Sequence, residues 1–197
     1  MENTSVINKN EFLVKEHVGM FKAANNFDIY DLASNQMIMQ CREPNLGFFT
    51  KILRFTKYKR YTPFRVEITN MQNQPIVTVR RGVSIFLSKV EVLDEQGRCI
   101  GYFKQKMFSI GGKFNVLDAQ EKLVCTLKGK WTGWDFRFLA GEQELAAVSK
   151  KWAGLGKELL TSADNYVLSI KPIVPADAPL RKLILAAVMC IDMVLKE

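Results

Sequence analysis

The 197-residue sequence contains a single histidine, His17, and this scarcity removes most of the chemistry that depends on imidazole. It leaves no basis for a histidine-based hydrolase or a histidine-rich zinc centre. The four cysteines, Cys41, Cys99, Cys125 and Cys190, form no Cys-x-x-Cys pair. Isolated cysteines of this kind read as buried thiols. Residues 1–10 lack the basic-then-apolar layout of a secretory leader, so the expected location is cytoplasmic. The glycines of Trp152–Lys157 miss the Gly-x-x-x-x-Gly-Lys-Ser/Thr spacing of a phosphate loop, and the stretch reads as a turn. No nucleophile motif is present, and the expectation is a protein that is not an enzyme and has no small-molecule substrate. Acidic residues are also in deficit, 20 against 28 Lys and Arg, which leaves a net charge of +8 and points to an anionic partner.

What the sequence does contain is a repeat. Apolar and other residues alternate and end in Asp or Asn at Phe27-Asp28-Ile29-Tyr30-Asp31, Val66-Glu67-Ile68-Thr69-Asn70, Val90-Glu91-Val92-Leu93-Asp94 and Phe114-Asn115-Val116-Leu117-Asp118. A fifth copy, Phe136-Arg137-Phe138-Leu139-Ala140, replaces the Asp but keeps a turn at Gly141. The last four copies are regularly spaced, starting 24, 24 and 22 residues apart. Alternation over such short stretches marks half-buried strands. The Asp, Asn and Gly residues that follow supply side-chain caps and positive φ for hairpin turns. With return strands at Cys99–Phe103, Leu123–Leu127 and Leu145–Val148, and further strands near Glu11–His17 and Tyr166–Ile170, ten to twelve strands are expected. Residues 1–10 read as a flexible lead-in and 11–197 as one domain.

The C-terminus is different. Asp177 reads as an N-cap and Pro179 lies in the first turn of a helix that is apolar on every face beyond Lys182 except at Asp192. A helix of that kind must be buried all round, in protein or in lipid. Its uninterrupted apolar run, Leu183 to Ile191, is nine residues, short of the roughly 20 that span a bilayer. Asp192 would be costly at bilayer depth. The expected arrangement is a mainly β closed barrel with Leu183, Ile184, Ala187, Val188 and Ile191 buried along its central helix.

Several stretches resemble the phospholipid scramblase and LURP-one-related family. Ala163-Asp164-Asn165-Tyr166-Val167-Leu168-Ser169-Ile170 resembles the strand before that family's terminal helix, and Ala187-Val188-Met189-Cys190-Ile191-Asp192 resembles the helix. Cys41-Arg42-Glu43, Tyr61-Thr62-Pro63-Phe64 and Lys150-Lys151-Trp152 are similar to upstream pieces of the same pattern. The resemblance runs over residues 11–196. It implies a twelve-stranded Tubby-like barrel around a central hydrophobic helix, and an association with membrane lipid. It also implies a calcium motif, of which Asp164 matches, while Ser162 and Ile173 stand where the family has acidic residues. No cofactor is expected otherwise.

Charge is concentrated in one window. Lys51, Arg54, Lys57, Lys59, Arg60 and Arg65 lie between Pro44 and Arg65 with no acidic residue among them, interleaved with Phe48, Phe49, Phe55, Tyr58, Tyr61 and Phe64. This window interrupts the repeat, because the first two copies start 39 residues apart. Basic and aromatic residues together suit an anionic bilayer surface. These six cations are therefore the candidate lipid-binding residues of a non-catalytic, scramblase-related module for anionic, phosphoinositide-like phospholipid, peripheral at the membrane. The alternatives are a lipid scramblase with a membrane-inserted C-terminal helix, and a protein- or nucleic-acid-binding scaffold; nothing in the sequence supports nucleic acid specifically. The Trp131-Thr132-Gly133-Trp134 stretch is a second candidate contact.

Overall fold

Twelve strands, each antiparallel to the next, close on themselves in a computed structural model that describes residues 6–16, 26–44, 47, 62–83, 89–105, 113–130, 135–150 and 165–195. The strands are β1 (Glu11–Glu16), β2 (Phe27–Asp31), β3 (Met37–Arg42), β4 (Phe64–Asn70), β5 (Pro75–Arg81) and β6 (Lys89–Leu93). They continue with β7 (Cys99–Gln105), β8 (Lys113–Asp118), β9 (Leu123–Lys130), β10 (Asp135–Ala140), β11 (Gln143–Ser149) and β12 (Asn165–Ile170). Each pairs with its sequence neighbours, and β1 pairs with β12 to complete a barrel, with Leu13 opposite Val167. Closure removes the exposed sheet edges that a meander would otherwise leave. The five repeat copies are β2, β4, β6, β8 and β10.

The terminal Asp or Asn of each copy does the local work that its chemistry allows. The Oδ1 atom of Asp94 accepts the N–H groups of Gln96 (3.0 Å) and Arg98 (2.8 Å). Asp118 does the same for Gln120 and Lys122, and Asn70 for Gln72 and Gln74. Asp31 instead accepts from the hydroxyl and N–H of Ser34. Each of these hairpins holds one residue at positive φ: Asn35, Asn73, Gly97, Glu121, and Gly141 in the copy without an Asp. Short, side-chain-capped turns therefore occupy one end of the barrel. The other strand ends, among them Glu16, Phe27, Arg42, Phe64, Arg81 and Lys89, lie at the opposite one.

Inward positions alternate along most strands, for example Phe27 and Ile29, Val66 and Ile68, Val90 and Val92, and Phe136 and Phe138. They surround α1 (Pro179–Leu195), which follows β12 from the tight-turn end and threads the barrel toward the opposite one. Residues Leu183 through Ile191 are all buried, so the five helix positions expected in the core are there, on every face of the helix. Fully burying each large apolar side chain is worth about 1.5–3 kcal/mol. Gly101 on β7 faces this helix at close range. A Cβ there would stand 2.2 Å from the Leu117 carbonyl oxygen and 2.9 Å from Leu183 Cδ2. The helix begins at Pro179, so Ala178 holds the cap position and the N-cap reading of Asp177 is one residue early.

Arg181 closes the tight-turn end. Only 3% exposed, it donates to the carbonyls of Pro175 (2.9 Å), Val174 (3.0 Å), Ile7 (3.1 Å) and Lys9 (2.8 Å), and to Asn10 Oδ1 (2.7 Å). Burial draws its pKa below the ordinary arginine value. The segment before β1 is thereby tied to the turn before α1. All four cysteines are free; Cys41, Cys125 and Cys190 are buried and Cys99 is half-buried. Burial pushes the Cys125 thiol up to about 12.

Candidate functional site

On the barrel wall toward the end opposite the tight turns, the ladder places four outward side chains in one row. Arg65 on β4 stands opposite Arg80 on β5, Arg80 opposite Glu91 on β6, and Glu91 opposite Tyr102 on β7. Directly opposed residues on one sheet face sit with Cβ atoms about 4.5–5.5 Å apart, and like charges so placed are destabilising. Two arginines facing each other therefore call for a negative partner. Lys89, two residues before Glu91, lies over the Tyr102 ring at 4.0 Å from its centre.

These residues line a cleft of about 650 Å³, with Glu43, Pro44, Gly47, Pro63, Phe64, Arg81 and Gly82 completing its described wall. The floor is firm. Arg81 is buried, lies over the Phe64 ring at 4.8 Å and donates to the Thr62 carbonyl at 2.8 Å. Among the described lining residues, four cations (Arg65, Arg80, Arg81, Lys89) face two carboxylates (Glu43, Glu91). The exposed cations are not idle. Arg65 pairs with Glu67 (3.0 Å), Arg80 with Glu91, and Lys89 with Glu121 (2.6 Å). The hydrogen bond and charge of Glu91 hold the Arg80 guanidinium above the ordinary arginine pKa, and those of Lys89 hold Glu121 below the usual carboxylate range. The Tyr102 hydroxyl is pushed up to about 12, first by its hydrogen bond with Cys99 and then by neighbouring charge.

Of the six cations singled out from the sequence, Arg65 lines the cleft. Lys51, Arg54, Lys57, Lys59 and Arg60 lie outside the described residues; the described residues that flank them in sequence, Gly47 and Pro63, line the cleft. Asp164, His17, the Trp131–Trp134 stretch and Trp152–Lys157 lie outside the described residues as well. Among the described residues, no group of three or more His, Cys, Asp or Glu could hold a metal ion. Sequence reasoning missed Arg80, Lys89 and Tyr102. A signal existed: Arg65 and Lys89 each immediately precede a repeat copy, 24 residues apart.

The sequence matches the family described as Scramblase over residues 2–197. The chain belongs to the Scramblase family. Two curated human proteins are similar to it. Phospholipid scramblase family member 5 is 26% identical over 127 residues, covering 57% of this chain and 45% of that protein. Phospholipid scramblase 2 is 24% identical over 122 residues, covering 54% of this chain and 41% of that protein. Each match thus spans less than half of the relative's length. A crystal structure of a protein from Arabidopsis thaliana superposes with a TM-score of 0.54 at 16% identity, covering 95% of this chain and 93% of that one. The fold of this scramblase-family chain is accordingly the Tubby-like twelve-stranded barrel with a central helix.

Proposed function

We propose that the chain is a non-catalytic binding module that docks peripherally, from the cytoplasmic side, on anionic phospholipid with phosphoinositide-like headgroups. The observation that carries this reading is the opposed pair Arg65 and Arg80, both more than half exposed, on the wall of a cleft that also holds Lys89. Arginine forks match phosphate geometry in a bidentate manner. Lys51, Arg54, Lys57, Lys59 and Arg60 are flanked in sequence by Gly47 and Pro63 of the same cleft, and each such cation would add about 1 kcal/mol near an anionic surface. Membership in the Scramblase family supports a phospholipid partner.

Lipid translocation by insertion of α1 is the weaker alternative. Residues Leu183–Ile191 would have to leave the core of the barrel, and among the described residues no helix is long and apolar enough to cross a membrane. The docking reading is tested by co-sedimentation with neutral and acidic vesicles at low and high salt. Binding should require acidic lipid, weaken with salt as screening predicts, and fall on Arg65→Ala/Arg80→Ala and on Lys51/Arg54/Lys57/Lys59→Ala. Retention of full binding by both variants would refute the assignment.

A further inference from the structure

Each exposed cation of the cleft already has a carboxylate of its own chain. Glu91 faces Arg80 across β5–β6, Glu67 holds Arg65 from two residues along the same strand, and Glu121 reaches Lys89 from the β8–β9 turn. We infer that these three carboxylates make the cleft a charge-valence filter, so that it takes phosphate monoester headgroups and turns away headgroups carrying a single negative charge. The inference rests on the anionic-lipid reading above and specifies which anionic lipid the same cleft accepts.

The physical reason is an exchange. A singly charged phosphodiester or carboxylate that displaces Glu91 from Arg80 replaces one monoanionic acceptor with another, and the tethered carboxylate competes at high effective concentration. A phosphate monoester carries about −1.5 to −2 at neutral pH and three strong acceptor oxygens. It can therefore engage Arg65 and Arg80 together, and relieve the repulsion of two opposed guanidinium groups. Glu91 and Glu121 are then specificity-determining residues. Their removal should strengthen binding of the wrong headgroups rather than weaken binding overall.

The test uses the full chain and phosphatidylcholine vesicles containing either phosphatidic acid, a monoester, or phosphatidylserine, a diester, adjusted to equal surface charge. The wild type should prefer phosphatidic acid by about tenfold or more, the effect of one additional charge-assisted bond. Glu91→Gln keeps a hydrogen-bonding group opposite Arg80, and Glu121→Gln lies on an exposed turn where folding is not at stake. Each should shrink the preference by tightening binding to phosphatidylserine. Glycerol 3-phosphate should displace the protein from phosphatidic acid vesicles, and glycerophosphocholine should not. As a lipid site, the cleft should bind vesicle phosphatidic acid about tenfold more tightly per phosphate than glycerol 3-phosphate; equal binding would overturn the lipid source. An equal affinity of the wild type for both vesicles, or an unchanged ratio in both variants, would overturn the filter while leaving anionic docking intact. Binding to neither vesicle would overturn the docking reading and the filter together.

Discussion

Replacing Arg181 with methionine keeps most of the side-chain volume and removes the charge, which isolates the guanidinium as a clasp. In the folded chain it satisfies the carbonyls of Ile7, Lys9, Val174 and Pro175 and the side chain of Asn10, and among the described residues no carboxylate accepts from it. Hydrogen bonds to a charged donor are worth about 1.5–3 kcal/mol each net, and an orphaned buried acceptor costs about 1–3 kcal/mol. The contacts to Ile7 and Val174 are buried, whereas those to Lys9, Pro175 and Asn10 are partly open to water. Water can replace the second group but not the first. Relief of the buried charge returns part of the loss, so the expected net cost is about 3–5 kcal/mol. For a chain of this length each kcal/mol shifts Tm by about 2–4 °C, giving a fall of roughly 6–20 °C. Urea unfolding followed by circular dichroism measures the free energy, and hydrogen exchange should show lost protection around Asn10 and Val174. Arg181→Lys should recover part of the loss, because an ammonium has three donors in place of a fork of five. An Arg181→Met protein within about 1 kcal/mol of wild type would refute the reasoning, since it would mean that these acceptors are satisfied without the guanidinium.

Two glycines separate backbone strain from packing. Gly97→Ala places a side chain in open space at φ +76 and should cost about 1–2 kcal/mol from strain alone, whereas Gly101→Ala drives a Cβ into the Leu117 carbonyl and Leu183 and should cost about 3 kcal/mol or more, both read by urea melts. Acid should destabilise the barrel through its turn carboxylates. Hydrogen bonds from Ser34 depress Asp31; at Asp94 burial raises the pKa, but the bonds from Arg98 and Gln96 more than offset it. A depressed carboxylate contributes stability that is present above its unfolded pKa and is lost as pH falls through its folded one. Stability from these groups should therefore hold from neutral pH to about 5 and decline below about 4, and Asp94→Asn should flatten part of that decline. Deleting residues 177–197 removes the helix that fills the barrel, and circular dichroism should show that the fragment does not fold; a cooperative, soluble fragment would mean that α1 is dispensable to the core.

The repeat was legible because its information is local. A turn carboxylate and its two N–H partners lie within four residues, so Asp94 with Gln96 and Arg98 can be read from sequence alone. Burial of Leu183–Ile191 was legible for a similar reason, since a helix apolar on all faces has few places to go. The cleft was not. Arg80 lies 15 residues beyond Arg65 in the chain, and only the β4–β5 register sets them face to face. Glu121 reaches Lys89 from another hairpin altogether. The Arg181 clasp was not legible either. It lies in the first turn of α1, and its acceptors at Ile7 and Lys9 come from the far end of the sequence.

The barrel divides its tasks between two regions, and the division explains where unfavourable features are tolerated. At the tight-turn end, Asx caps and the Arg181 clasp leave polar groups satisfied, and the helix fills the interior. That end and the core carry the stability. On the wall near the other end, Arg65 and Arg80 oppose each other at a cost that the fold does not require, because apolar or mixed-charge pairs at those outward positions would serve the sheet better. The carboxylates of Glu67 and Glu91 lower that cost without abolishing the positive character of the cleft. Under the anionic-lipid reading the opposed pair would meet an anion that arrives from outside, and the helix, held in the core, leaves the outer wall as the surface for it.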